Sequence, residues 1–249
     1  KGIMHTYDSC MHYVYNSALH SKTTSKDIMA IVPPFYFDMS IMGYFTIPYS
    51  GGHSVIISQE QINLPAEIIN QLRLHNHTIW FSVPSMLYKL LEYKEFNAEL
   101  APHLREIQYA GEPFLPSKLK VLRERFPDCI ITNIYGPTET NQCTVYHVPK
   151  DHDCTTEVPL GRPWYNTDYI LVDEEVAGNG NRLGELAMAT GTLMLGYWNN
   201  KKLTNEKMIE VDIFPGSTRK YYKTGDLVEV DEEDIIYYKG RIDRQVKIN

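Results

Sequence analysis

Short apolar runs alternate with amphipathic stretches over roughly the first 150 residues of the chain. Five of these runs have the length and the β-branched and aromatic content of buried strands, at residues 28–32, 54–57, 78–83, 107–109 and 129–132. The stretches between them carry apolar residues at helical spacing. Because strands that alternate with helices indicate a parallel sheet covered by helices, we predict an α/β fold.

Three of the predicted helices begin at a proline, which is favoured at the first helical position because its φ angle is already helical. In each, leucines or isoleucines follow on one face. These groups are Pro65 with Ile68, Ile69 and Leu72; Pro84 with Leu87, Leu90 and Leu91; and Pro116 with Leu119 and Leu122.

Beyond about residue 150 the pattern changes to short alternating segments, at residues 169–172, 186–188 and 235–238, with a glycine-rich turn at 178–180. Such segments are typical of antiparallel strands. We therefore predict an α/β subdomain over residues 1–154 and a small β-rich subdomain, a distorted barrel, over residues 155–240.

Composition narrows the possible partners. The chain has 249 residues, of which 43% are hydrophobic, and a formal charge of -7. Because positive and negative residues are interspersed and form no basic patch, nucleic acid is not an expected partner. No apolar run approaches the roughly 20 residues of a spanning helix, and no signal peptide is evident, so we predict a cytoplasmic protein without membrane contact. The four cysteines lack paired metal spacing, and we expect free thiols.

The segment from Asn133 to Thr140 combines a turn, a hydroxyl and a carboxylate directly after a predicted strand. Gly136 and Pro137 force a turn at the carboxyl end of that strand, where open α/β sheets hold ligands. The neighbouring Thr138 and Glu139 supply oxygen atoms that suit a phosphate and the magnesium ion that accompanies it. The alternative is a strand-turn-helix corner in which Thr138 caps a helix.

Further motifs follow in order, and together with this segment they resemble the adenylate-forming (AMP-binding) enzyme superfamily. The resemblance is to amino acid adenylation domains of nonribosomal peptide synthetases and to D-alanine carrier-protein ligases, and it spans the whole chain. The motifs are Leu160-Gly161-Arg162-Pro163, Gly184-Glu185-Leu186, Gly196-Tyr197-Trp198, Tyr222-Lys223-Thr224-Gly225-Asp226-Leu227 and Gly240-Arg241-Ile242-Asp243-Arg244-Gln245-Val246-Lys247-Ile248.

The resemblance implies ATP and Mg²⁺ as cofactors, with Glu139 as the metal ligand and Thr138 beside it as the second catalytic residue. It places adenine near Tyr135 and the ribose at Asp226. The remaining residues implied for the nucleotide are Lys1, Ala110, Gly111, Glu112, Asn133, Gly136, Tyr238 and Arg241. We expect the Arg241 guanidinium to be free for ribose or phosphate oxygens.

Simpler interpretations of these residues stay open at this point. Gly111 fits an ordinary turn after a strand, and Asp226 fits a turn in which its side chain binds its own backbone. Lys1 can equally be a solvated lysine. Asp243 resembles the hinge residue of the family, within a hinge over residues 241–249 that leads to a C-terminal domain, but an exposed aspartate is the alternative.

Asp38 follows the aromatic run Phe35-Tyr36-Phe37, and a carboxylate buried in apolar surroundings requires a cation. In the family this position binds the α-amino group of the substrate. The alternative is that Asp38 caps a helix beginning at Met39. By resemblance, an uncharged pocket for the substrate side chain is formed by Met39, Met42, Ser85, Gln108, Ala110, Ile134, Gln142 and Cys143.

The sequence therefore predicts ATP-dependent activation of an uncharged amino acid as aminoacyl-AMP. Transfer to the phosphopantetheine thiol of a carrier protein would follow. Residues 1–5 resemble the end of the family's phosphate loop, and a C-terminal domain is expected beyond residue 249, so we expect this stretch alone to be inactive. The alternatives are an acyl- or aryl-acid coenzyme A ligase and a non-catalytic nucleotide-binding module.

Overall fold

The structure is a computed structural model that describes residues 1–242. Its strands are β1 (Ile3–Met4), β2 (Ile28–Ile31), β3 (His53–Ile56), β4 (Ile79–Ser82), β5 (Glu106–Ala110), β6 (Ile130–Tyr135), β7 (Thr144–Val148), β8 (Arg162–Pro163), β9 (Thr167–Val176), β10 (Arg182–Thr190), β11 (Gly196–Tyr197), β12 (Met208–Phe214), β13 (Ser217–Val230) and β14 (Ile236–Arg241). Its helices are α1 (Tyr7–His20), α2 (Ile47–Tyr49), α3 (Gln59–Ile62), α4 (Pro65–His75), α5 (Pro84–Leu91), α6 (Pro116–Arg125) and α7 (Lys201–Lys207), and a π-helical turn spans Met42–Thr46.

The chain forms two compact units that are discontinuous in sequence. The α/β unit contains Val14–Ile134 and His147–Val158, and the β-rich unit contains Lys1–Tyr13, Tyr135–Tyr146 and the chain from Pro159 onward. The sequence pattern predicted a single boundary near residue 155, whereas the chain passes between these units at four points.

The α/β unit is built on parallel strands in the order β3-β2-β4-β5-β6. The strands β4 and β5 are almost fully buried, as expected of central strands covered on both faces. All five strands coincide with the predicted apolar runs, and the α/β fold is confirmed. The three helices predicted from their leading prolines are α4, α5 and α6, which begin at Pro65, Pro84 and Pro116.

The β-rich unit contains an antiparallel sheet in the order β12-β13-β10-β9, with β14 paired to β13. This sheet confirms the predicted β-rich part of the fold. Its core includes Leu186, Met188 and Val228, which have no exposed surface. Two short pairings lie in the same unit: β1 with β11, and Thr144 and Val145 of β7 with β8.

Among residues 1–242, no helix combines the length and the apolar character needed to cross a membrane.

Candidate nucleotide and substrate site

The predicted phosphate segment is a tight loop between β6 and β7. The Cys143 N–H donates to the Tyr135 carbonyl oxygen at 2.8 Å, which closes the loop. At Gly136 the backbone approaches so closely that an added Cβ would lie 1.5 Å from the Asn141 carbonyl oxygen. A turn covers residues 138–140 and leads into strand β7 rather than a helix. The alternative in which Thr138 caps a helix is therefore wrong.

Three successive carbonyl oxygens of this loop accept hydrogen bonds from other parts of the β-rich unit. The Thr138 oxygen lies 2.9 Å from the Nε2 atom of His5, and the Glu139 oxygen accepts from the Met194 N–H at 2.8 Å. The Thr140 oxygen accepts from the Thr192 hydroxyl at 2.5 Å. The backbone that carries Thr138 and Glu139 is thus held at each residue.

The side chains of Thr138 and Glu139 fit a magnesium ion by their chemistry. Glu139 is half-buried, and Thr138 is exposed with a hydroxyl that has no hydrogen-bond partner within residues 1–242. Carboxylate and hydroxyl oxygens are ligands that Mg²⁺ accepts, usually with phosphate oxygens and water completing its shell. No group of three His, Cys, Asp or Glu side chains in the same described range could hold a metal without such help.

Asp226, the predicted ribose ligand, lies at the centre of a small hydrogen-bonded group. Its Oδ2 atom accepts from the Tyr135 hydroxyl at 2.5 Å, and its Oδ1 atom accepts from Nη1 of Arg241 at 2.9 Å. Asp226 and Arg241 face each other across the antiparallel pair β13–β14. Burial, and then the neighbouring Asp226 carboxylate, raises the pKa of Tyr135 well above its ordinary value, so the phenol remains a donor.

The expectation that the Arg241 guanidinium is free is wrong. Its Nη1 atom donates to Asp226 and also to the Thr224 carbonyl oxygen at 2.9 Å. The physical reason is that a 6% exposed carboxylate requires a nearby cation, and Arg241 supplies it. The alternative for Asp226 was a turn in which its side chain binds nearby backbone; within residues 1–242 the hydrogen-bond donors to its carboxylate are instead the side chains of Tyr135 and Arg241. Each oxygen of Asp226 retains a second lone pair that can accept a further donor.

Three other predicted residues of the β-rich unit pack close to its core. Tyr238 is partly buried against the cluster that contains Cys143, and Gln142 is 3% exposed. The thiol of Cys143 donates to the Thr140 hydroxyl at 2.9 Å. Burial raises the pKa of the Cys143 thiol to about 12, so the side chain stays an uncharged thiol.

In the α/β unit, the predicted adenine segment follows β5 directly. Gly111 has a φ of +91°, a left-handed conformation that favours glycine, so the turn by itself explains this residue. Glu112 accepts from both the backbone N–H and the hydroxyl of Ser85, each at 3.3 Å. The Ser85 hydroxyl, predicted to face the substrate, therefore already has a partner.

Gln108, another predicted pocket residue, is 1% exposed. Its amide nitrogen donates to the Ser21 hydroxyl at 2.6 Å and to Oε1 of Glu106 at 2.8 Å. At the end of β5, Ala110 lies opposite Ile134 of the neighbouring strand β6. Asn133, which precedes Ile134 on β6, is buried. Sequence reasoning missed the buried acid Glu106, whose pKa is raised by burial.

Asp38 is half-buried rather than buried, and the preceding Phe35, Tyr36 and Phe37 are exposed. Its Oδ1 atom accepts from the Met39 N–H at 2.8 Å. A capping side chain would instead bind an amide two or three residues further on, so the predicted cap is not formed. Within residues 1–242, the other carboxylate oxygen of Asp38 has no hydrogen-bond partner.

The neighbouring methionines differ in burial. Met39 is half-buried, whereas Met42 is 1% exposed and begins the π-helical turn. Such turns are frequent at functional sites, but nothing in the local sequence indicated one here.

Two predicted residues lie near the ends of the chain. The Lys1 amine lies 5.5 Å above the ring centre of Tyr197, within the β-rich unit. The predicted hinge residue Asp243 lies outside the described residues.

Comparison with known proteins gives one family. The model described as "AMP-binding enzyme" matches residues 1–198. An L-proline–[L-prolyl-carrier protein] ligase from Streptomyces coelicolor is 31% identical over all of this chain and 46% of its own length. A D-alanine–D-alanyl carrier protein ligase from Lactiplantibacillus plantarum is 30% identical over 87% of this chain and 42% of its own length. The chain thus spans less than half of each of these relatives.

A solved structure supports the fold. The crystal structure of IdnL1 superposes with a TM-score of 0.88 over 99% of this chain and 51% of that one, at 24% identity.

Proposed function

The chain belongs to the AMP-binding enzyme family, and from this premise we propose that the protein activates an uncharged amino acid with ATP. The substrate carboxylate would attack the α-phosphorus of ATP, forming an acyl–phosphate bond while the bond to the pyrophosphate oxygen breaks. The products are aminoacyl-AMP and pyrophosphate. A carrier-protein phosphopantetheine thiol would then lose its proton, attack the acyl carbon and release AMP.

The hydrogen-bonded group around Asp226 is the observation that carries this proposal. Two donors, the Tyr135 hydroxyl and the Arg241 guanidinium, orient its carboxylate, so that the remaining lone pairs are fixed in direction. A fixed carboxylate suits a cis diol, whose two hydroxyls donate side by side. We assign the ribose to Asp226 and the base to the Tyr135 ring, with Tyr238 close to the same nucleotide.

The loop after β6 supports the phosphate part of the proposal. Glu139 and the Thr138 hydroxyl would hold Mg²⁺ with phosphate oxygens, and the bound ion would neutralise charge on the departing pyrophosphate. Because the carbonyl oxygens of both residues are already hydrogen-bonded, the loop is organised before the nucleotide arrives. Such organisation lowers the cost of orienting the reacting groups.

For the substrate, Asp38 is the residue proposed to bind the α-ammonium group. Its second carboxylate oxygen lacks a partner within residues 1–242, which supports a role in binding a cation from outside the chain. Neither Met42 nor Gln108 carries a charge, so an acidic or basic substrate side chain would gain no counter-ion from them.

The proposed transfer of the amino acid to a carrier protein is based on the names of two relatives. Both, about 30% identical to this chain, are named as ligases that join proline or D-alanine to a carrier protein. We extend this partner to the present protein by analogy.

Pyrophosphate exchange tests the activity. The full-length protein is incubated with ATP, labelled pyrophosphate and one acid at a time, from sets of neutral amino acids, charged amino acids and simple fatty or aryl acids. We expect exchange with one or a few neutral amino acids. Exchange only with simple acids would identify an acyl or aryl ligase, and no exchange despite ATP binding would identify a non-catalytic module; either result would overturn the proposal.

A further inference from the structure

Two buried tyrosines, Tyr197 and Tyr222, form a chain of hydrogen bonds that ends at the proposed metal ligand Glu139. The Tyr197 hydroxyl donates to Oε1 of Glu139 at 2.6 Å, a short distance typical of a bond to a carboxylate. The Tyr222 hydroxyl lies 3.1 Å from the Tyr197 hydroxyl. Because Tyr197 donates its proton to Glu139, Tyr222 is the donor in this second bond. The tyrosines are 3% and 4% exposed, so bulk water has little access to either of them.

The two tyrosines come from separate elements of the β-rich unit. Tyr197 ends β11, where the pairing with β1 fixes its backbone, and Tyr222 lies within β13. Both also belong to one core cluster with Met194, whose N–H holds the Glu139 carbonyl oxygen. The backbone and the side chain of Glu139 are therefore held by the same packed group.

We propose that Tyr197, supported by Tyr222, is a positioning residue that fixes the Glu139 carboxylate for the Mg²⁺ ion of the nucleotide complex. An exposed carboxylate rotates among several orientations, and only some of them suit a metal. With Oε1 bound by a rigid phenol, the plane of the carboxylate is fixed, and so are the directions of its remaining lone pairs. Groups that orient a metal ligand commonly change metal affinity by about 10- to 100-fold when removed. This inference rests on the proposed function, because it takes Glu139 as the metal ligand.

The test is a binding measurement rather than an activity assay. Mn²⁺ replaces Mg²⁺, and its binding to the full-length protein in the presence of ATP is followed by electron paramagnetic resonance. We expect Tyr197→Phe, which keeps the ring and removes the hydroxyl, to weaken Mn²⁺ binding about 10-fold. Tyr222→Phe should weaken it by a smaller factor. Binding of metal-free ATP, measured by calorimetry with a chelator present, should not change in either variant.

Tyr221→Phe is the matched control. Tyr221 is also 3% exposed and donates to a carboxylate, that of Asp168 at 2.7 Å, but it contacts neither Glu139 nor the loop after β6 through this bond. This variant should lose a similar amount of stability and bind Mn²⁺ as the unmodified protein does. If Tyr197→Phe does not fold, Tyr222→Phe alone decides the inference by the same comparison.

Glu139→Gln separates the inference from the proposed function. If Glu139→Gln weakens Mn²⁺ binding but the two tyrosine variants do not, the positioning role is wrong and the metal ligand stands. If Glu139→Gln has no effect on Mn²⁺ binding, the metal assignment fails, and the inference fails with it.

Discussion

At the scale of single residues, Asp226 is the side chain on which the nucleotide assignment depends most. Replacement by alanine removes the acceptor of two donors and the two bonds to the ribose that the proposed function assigns to this carboxylate. A bond to a charged group contributes roughly 1.5–3 kcal/mol, so we expect ATP binding to weaken at least about 10-fold in calorimetry.

Asp212→Ala is the control for this variant, because Asp212 is an exposed aspartate of the same unit, on strand β12. Its removal should leave ATP binding as it was. Unchanged binding after Asp226→Ala, in a protein that still unfolds cooperatively, would exclude the ribose assignment.

Position 136 has no room for a side chain, so glycine is required there. An alanine Cβ there would lie 1.5 Å from the Asn141 oxygen and 3.1 Å from the Cys143 nitrogen, and both are backbone atoms that cannot rotate away. We expect Gly136→Ala to lower the free energy of unfolding by more than about 2 kcal/mol in urea titration. Gly178→Ala, where the added Cβ meets nothing within 4 Å, should cost far less. Equal losses in the two variants would contradict the described loop geometry.

At the scale of elements, local signals predicted some structure and missed the rest. Helices α4, α5 and α6 were predictable because a proline marks each start and apolar residues follow on one face. Helix α1 was missed because its buried positions include Ser9, Asn16 and Ser17, which hide the apolar spacing. The π-helical turn was missed because an inserted residue in a helix has no clear sequence signal.

The candidate site, too, could be predicted from local sequence only in part. The loop after β6 was predictable because a strand, a turn and the oxygen-bearing residues are adjacent in sequence. Its partners were not predictable from local pattern: Tyr197 is 58 residues from Glu139, and Asp226 is 91 residues from Tyr135. Such pairs arise from the tertiary fold, and the resemblance supplied Asp226 but no role for Tyr197.

His77, in the connection between α4 and β4, gives this part of the fold a pH dependence. It is 1% exposed, and within residues 1–242 neither ring nitrogen has a hydrogen-bond partner. Burial lowers the pKa of His77 from 6.5 to about 4, with a smaller effect from His75. Between these values the unfolded chain binds a proton that the folded chain does not, so stability falls as the pH falls.

We expect the contribution of His77 to the free energy of unfolding to fall by about 2 kcal/mol as the pH is lowered from ~6.5 to ~5. His77→Phe, which replaces an unpaired polar ring by an apolar one, should reduce the loss of stability over this range in urea titrations. The loss should not vanish, because burial also lowers the pKa of His20 to about 4. His103→Gln, at an exposed position, is the control. An unchanged pH dependence in His77→Phe would show that His77 is not buried as described.

At the scale of the whole molecule, the four cysteines give a simple check of the core. All are free thiols, and the two with the least exposed surface are Cys129 and Cys143, one in each unit. Burial raises the pKa of each of these two thiols to about 12, which leaves almost no thiolate at neutral pH. We expect an alkylating reagent to spare both in the folded protein and to modify all four in denaturant, as read by mass spectrometry. Rapid native labelling of Cys143 would contradict the packing of the β-rich unit.

The discontinuous make-up of the two units has a consequence for biosynthesis. Ile3 and Met4 pair with Tyr197 and Gly196. A ribosome that adds about 5–20 residues per second reaches Tyr197 roughly 10–40 s after Ile3. The last segment of the α/β unit ends at Val158, which is made before Tyr197. Translation therefore leaves β1 without its partner strand until Gly196 and Tyr197 have been made, so the β-rich unit completes this pairing only after the last segment of the α/β unit has been synthesised.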